Sequence, residues 1–245
     1  MDINSFFKLF LAVSLGVGFA AFAVNNSQVR SSREVLQAWD ERSAPKVKLS
    51  SWMWESVVDM PEEDQISLLS QSKEQHIARI FLDIEEYITL TEKDDIEGIN
   101  NLKQKLTFFI REAKSRDIEV YALAGDVSWI FEDYRYIPKK LVEFVNEFNA
   151  MSQEEKFAGI QFDIEYYNSN EYKDSKDKTK VQFSKDYLDM VKSVKELSDT
   201  PVGFAIPYWF NRDDELMKIS YNDKNRTIFR HLIDILEVDQ QSKTN

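Results

Sequence analysis

Gly159-Ile160-Gln161-Phe162-Asp163-Ile164-Glu165 is the stretch on which the fold turns. On an extended strand, Gln161, Asp163 and Glu165 share one face and Ile160, Phe162 and Ile164 share the other. A near copy lies upstream, Phe81-Leu82-Asp83-Ile84-Glu85-Glu86-Tyr87, again with Asp-Ile-Glu closing an apolar run. Carboxylates crowded onto an apolar strand repel one another and resist desolvation, and such sites are where acid and base roles are divided.

Outward from these two runs, apolar segments of strand length alternate with segments of helical period. The strand candidates are Lys48 to Trp54, Ile77 to Ile84, Ile118 to Ala124, Gly159 to Ile164 and Val202 to Ile206. Between the second and third, Ile96, Ile99, Leu102, Leu106, Phe109 and Ala113 recur every three or four residues behind Asp94-Asp95, predicting a helix with an acidic start. Leu141, Phe144, Val145 and Phe148 predict the next, starting just after Pro138. Phe183, Tyr187, Met190, Val191, Val194 and Leu197 predict a third that stops before Pro201. The polar run Asn168 to Lys180 reads as a loop. Alternating strand and helix means parallel strands, in a doubly wound sheet or a (β/α) TIM-type barrel. No glycine follows the first strand at Trp52-Met53-Trp54-Glu55-Ser56, and the chain has only 6 glycines, which disfavours a phosphate-binding Rossmann unit. In a barrel, sites gather at the carboxyl ends of strands, where both Asp-Ile-Glu triplets fall.

The chain has 245 residues, 43% hydrophobic and 13% aromatic, enough for one substantial core. A net charge of -12 argues against nucleic acid as a partner and fits a neutral or cationic one. With no cysteine and only His76 and His231, neither a disulfide framework nor a thiolate or histidine-rich zinc centre is available, and a site without metal or cofactor is expected. Lys8 precedes the apolar run Leu9 to Val24, which includes Ala21-Phe22-Ala23, the pattern of an export signal over residues 1–23. Its run is shorter than the roughly 20 apolar residues that span a bilayer comfortably, but an uncleaved membrane tether through residues 9–24 is the alternative. Cleavage would discard Asp2 and Lys8 and leave the charge at -12. Residues 24–46 read as a polar tether with a helical stretch around Arg33 to Glu41, and 47–245 as the folded domain, exported to the periplasm or secreted.

The strand ends collect Trp52, Trp54 and Glu55; Asp83, Glu85, Glu86 and Tyr87; Asp126 and Trp129; Asp163, Glu165, Tyr166 and Tyr167; and Tyr208, Trp209 and Asn211. Carboxylates among aromatics suit a carbohydrate, because rings stack on the apolar faces of sugars while carboxyl groups bind hydroxyls and protonate a glycosidic oxygen. The substrate-binding candidates are Trp54, Glu55, Asp83, Glu85, Asp126, Trp129, Tyr167, Tyr208 and Trp209; the catalytic candidates are Glu165, Asp163 and Gln161. Several have plainer uses. Asp126 after Gly125 also suits a turn cap, Glu85 a salt bridge to Arg79 or a neighbouring lysine, and strand-end aromatics rim packing.

The fourth run resembles that of chitinase-like (family 18) glycosidases, whose pattern is Asp-Gly-x-Asp-x-Asp-x-Glu. The resemblance implies a (β/α) barrel in which Glu165 protonates the leaving oxygen and Asp163 orients the group that attacks. Ala158 and Gln161 stand where the family has its first two aspartates, so the relay behind the pair is reduced and chitin does not follow as substrate. The same departures support a second reading, a carbohydrate-binding protein that cleaves nothing. After the fifth strand, a helix from Arg226 to about Leu232 and a sixth strand from Ile235 to Asp239 are expected, giving five to six βα units where a full barrel needs roughly 250 residues. Such an incomplete barrel is either a truncated product or has its open side covered by another copy of the chain, a homo-oligomer.

Overall fold

A computed structural model describes residues 49–237. The export signal, the tether with its Arg33 to Glu41 helix, and residues 47, 48 and 238–245 of the domain lie outside the described residues.

The five apolar runs form β1 (Leu49–Met53), β2 (Ile77–Asp83), β3 (Glu119–Ala124), β4 (Ile160–Phe162) and β5 (Val202–Phe204). They make one parallel sheet in the order β1-β2-β3-β4-β5, each strand paired with its neighbours in sequence. Helices fill every connection: α1 (Glu62–Glu74), α2 (Glu86–Glu92), α3 (Ile96–Lys114), α4 (Tyr136–Met151), α5 (Asn170–Lys173) and α6 (Asp177–Leu197). Local chemistry sets their ends. The Asp95 carboxylate accepts the Gly98 N–H at 2.8 Å and caps α3. His76 and Asp117, with φ of 58° and 59°, end the turns that lead into β2 and β3. Pro138 lies inside the first turn of α4, where a missing N–H costs nothing, so that helix begins two residues before the proline rather than after it. Part of the expected loop is helical too: the run from Asn168 to Lys180 contains α5 and the start of α6.

Sequential strand order has a geometric consequence. Parallel crossovers are right-handed, so strands added always on the same side leave every connecting helix on one face of the sheet. The packing agrees. Ile80, Leu82, Val120, Ala122, Ile160 and Phe162 enter one buried cluster with helix residues such as Leu69, Leu106, Phe109, Phe144 and Val191. Phe81 and Leu123 are buried as well but stand outside that cluster, on the other face. There Phe81 meets Trp52 and Tyr121 at ring separations of 5.2 and 5.6 Å, and the Arg79 guanidinium lies 4.2 Å over the Tyr121 ring.

Beyond β5 the chain departs from expectation. Lys218–Tyr221 (β6) and Lys224–Thr227 (β7) pair antiparallel across Asn222-Asp223, whose φ values of 47° and 60° make a two-residue turn. The helix expected from Arg226 therefore starts later, as α7 (Ile228–Glu237). It also corrects the expected sixth strand: Ile235 to Glu237 are helical, because Ile228, Leu232 and Ile235 recur at helical spacing against α6 and the hairpin.

Candidate functional site

The register lines up the carboxyl ends of the strands in rows on the helix-free face. Asp83 pairs with Leu123, Leu123 with Gln161, and Gln161 with Gly203, so one row runs Asp83, Leu123, Gln161, Gly203. Trp54 extends it one residue past the β1 ladder. One step further along, Glu85, Gly125, Asp163 and Ala205 form the next row. Both triplets thus deliver Asp to the same face of one sheet, while Ile84 and Ile164 are buried behind it.

Gly125 is where the two triplets come closest. The Glu85 carboxylate accepts the Gly125 N–H at 2.6 Å. On its other side, a Cβ on Gly125 would lie 2.1 Å from the Asp163 carbonyl oxygen, so only glycine fits. Glu85 is therefore not paired with Arg79, which turns to Glu119 at 3.0 Å. Asp83 accepts the Glu85 N–H at 2.9 Å. Burial pushes the Asp83 carboxyl up to about 7, helped by the charges of Glu85 and Glu86 and opposed by that N–H. Burial also raises Glu85, against the Gly125 bond. Glu86 is bound by the Ser56 hydroxyl, and Tyr87 stacks on Phe144 of the helix layer at 4.1 Å.

The second triplet is finished differently. After Glu165 the chain enters a short 3-10 turn, Tyr166–Asn168. Tyr167 donates its hydroxyl to one Glu165 oxygen at 2.6 Å and Asn168 donates its amide to the other at 2.8 Å. Burial, and then the bond to Glu165, holds the Tyr167 phenol above its usual value, so it remains a donor. Tyr166 is fully buried beneath, hydrogen-bonded to Ser184 of α6 at 3.0 Å. The Asp163 carboxyl is raised by burial and then by the charge of Glu165, and among the described residues no donor reaches it. Gln161 does not support Asp163: its amide donates to the Phe162 carbonyl at 3.4 Å and its Oε1 lies over Gly203, where a Cβ would be 2.5 Å away.

The remaining sequence candidates divide. Tyr167, Trp209 and Tyr208 form a ring strip, each successive pair edge-to-face at 5.3 Å, with Tyr208 81% exposed. Trp54 is exposed at the mouth of the row and 6.0 Å from Trp52, and Glu55 is exposed beside it. Asp126 is exposed and caps its own turn by accepting the Ser128 N–H at 2.8 Å. Trp129 corrects the sequence reading: it is 4% exposed and packs edge-on against Phe162, a core residue without a face to offer a ligand. Asn211 accepts from Thr227 of the hairpin at 3.3 Å.

Sequence reasoning missed Gly125, Asn168 and the Tyr166–Ser184 support. Gly125 had a usable signal, since a glycine directly after an apolar strand in a chain with 6 glycines marks a close approach. Elsewhere, a cavity of about 250 Å³ lies between α6, the hairpin and α7, but Lys224 at its rim is paired with Asp234, and it adjoins none of the strand ends. Among the described residues no helix is long and apolar enough to cross a membrane, and no group of three or more histidine or acidic side chains could hold a metal ion. No family model, curated protein or solved structure matches the chain.

Proposed function

We propose that this is an exported protein of glycoside-hydrolase type, with a barrel-like sheet, that acts on a polysaccharide or glycan at the carboxyl ends of β2 to β5. The observation that carries the reading is that two carboxylate-bearing strand ends share one sheet and that Tyr167, bonded to Glu165 at the second, continues into the Tyr167–Trp209–Tyr208 strip. Sequential parallel strands with all helices on one side support the barrel, because such a sheet coils in one direction around its bare face. Rings supply stacking surfaces for sugars, and carboxyl groups in unlike surroundings supply the acid and base of hydrolysis. The hydrogen bonds that Tyr167 and Asn168 give Glu165 weigh against the acid role that the family resemblance implies.

Binding without cleavage is the second reading, favoured by Gln161, which lies over Gly203 rather than against Asp163. The full chain, mixed with oligosaccharides of glucose, xylose, N-acetylglucosamine and glucosamine, separates the two. Hydrolysis releases new reducing ends that Glu165→Gln reduces. Binding alone gives saturable quenching of tryptophan fluorescence, weakened by Trp209→Ala, with no reducing ends. Neither response to any sugar would contradict both readings.

A further inference from the structure

We infer, resting on the glycan reading above, that this site takes an amine-bearing glycan: a chain of glucosamine units whose ammonium groups meet the Glu165 carboxylate and whose rings lie on the Tyr167–Trp209–Tyr208 strip. Charge is spread unevenly between the two ends of the strands. The segments that follow the strands, 54–61, 84–85, 125–135, 163–176 and 205–217, carry 13 Asp or Glu and 4 Lys or Arg. The segments that lead from the helices into β2 to β5, 75–76, 115–118, 152–159 and 198–201, carry 4 and 2. Negative charge is thus concentrated at the carboxyl end of the sheet, and a cleft lined by one sign of charge draws in ligands of the other.

The cations at that end leave Glu165 uncompensated. Arg135 is paired with Asp186 of α6 at 3.1 Å and donates to the Ile130 carbonyl at 2.6 Å. Lys173 donates to the Asn168 carbonyl at 2.6 Å, while Lys176 and Arg212 are exposed. Glu165 itself is bonded by two neutral donors, the Tyr167 hydroxyl and the Asn168 amide. Each carboxylate oxygen has two lone pairs, so both can still accept from an ammonium group. Asp163, on the same strand end, is half-buried and reached by no donor among the described residues.

Tyr167 joins this carboxylate to the rings. It bonds Glu165 at 2.6 Å and meets Trp209 edge-to-face at 5.3 Å, and Trp209 meets the exposed Tyr208 in the same way. A neutral sugar can use the ring faces and give hydroxyl hydrogen bonds. An ammonium group gains more from both partners, because a cation is attracted to an indole or phenol face and makes charge-assisted hydrogen bonds to a carboxylate. An N-acetyl group carries no charge and forgoes both gains, and an acidic sugar is repelled. Rings joined to an uncompensated carboxylate therefore select an amino sugar over its acetylated and acidic counterparts.

Fluorescence titration of the full chain with pentamers of glucosamine, N-acetylglucosamine and glucose, at about pH 6 and low salt, tests the assignment. The glucosamine pentamer should bind at least about tenfold more tightly than the other two, and added salt should shrink that advantage. Glu165→Gln keeps the shape of the side chain and removes its charge, so it should cut the ratio of glucosamine to N-acetylglucosamine affinity severalfold, a ratio that a general loss of folded protein would not move. An unchanged ratio would contradict recognition at this carboxylate. Equal or tighter binding of the N-acetylglucosamine or glucose pentamer would overturn the amino-sugar preference while leaving the glycan reading standing. A lysine pentamer that binds as tightly as the glucosamine pentamer would overturn it as well, since charge alone would then be recognised. If no sugar binds, the glycan reading falls and takes this inference with it.

Discussion

Asp83-Ile84-Glu85 and Asp163-Ile164-Glu165 are identical in sequence and unlike in structure. In both, the isoleucine is buried against the helix layer and the aspartate faces the bare side of the sheet. The difference arises just downstream. After the first triplet the chain turns directly into α2, so Glu85 reaches sideways to the Gly125 N–H and Asp83 is left deep with one donor. After the second it enters a 3-10 turn whose Tyr167 and Asn168 close over Glu165. The chemistry of a carboxyl group is thus set by the residues two or three positions downstream and by a neighbouring strand, rather than by the triplet itself.

The largest expected effect comes from the point where the triplets meet. Gly125→Ala forces a Cβ against the Asp163 carbonyl, main chain against main chain, and should cost roughly 3 kcal/mol or more, measured by chemical denaturation. A loss under about 1 kcal/mol would mean that the two strand ends are not locked together.

Asp83→Asn sharpens the comparison through pH. The folded Asp83 carboxyl ionises near 7 against an ordinary value of 3.8, so its contribution to stability is fully present below the ordinary value and lost as pH rises through 7. The amide does not ionise. The variant should gain stability over wild type between pH 5 and pH 8, by about 2 kcal/mol from an upper bound of roughly 4. Asp163→Asn, on the shallower triplet, should show a smaller change of the same sign in the same melting series. Equal changes would erase the distinction between the triplets.

Two aromatic changes complete the series. Tyr166→Phe leaves the buried Ser184 hydroxyl without its tyrosine partner and should cost about 1–2 kcal/mol in thermal unfolding. Tyr208→Ala touches an exposed ring and should alter stability by less than about 0.5 kcal/mol, while weakening glycan binding measured by fluorescence titration. Unchanged binding would remove Tyr208 from the platform.

Much of the sheet was legible because each strand is a short apolar run bounded by turn residues, and the long helices α3, α4 and α6 carry clear apolar stripes. The region after β5 was not. Asn222-Asp223 is a hairpin turn with residues that tolerate positive φ, yet the flanking strands, Lys218–Tyr221 and Lys224–Thr227, have few apolar residues to announce them. Ile235 to Glu237 read as strand because a short apolar run carries no period; only Ile228 and Leu232 upstream reveal the helix. At the site, alternation correctly placed Asp83, Gln161 and Asp163 on one face. It could not show that Trp129 turns inward onto Phe162, or that Gln161 folds over Gly203, since both depend on contacts across strands.

Carboxyl 13C NMR titration of the full chain, with Asp83 assigned by its absence in Asp83→Asn, tests the division between the triplets most directly. Asp83 should titrate near pH 7 and remain largely protonated where ordinary carboxyl groups have already ionised. An Asp83 midpoint near 4, indistinguishable from an exposed aspartate, would contradict that division.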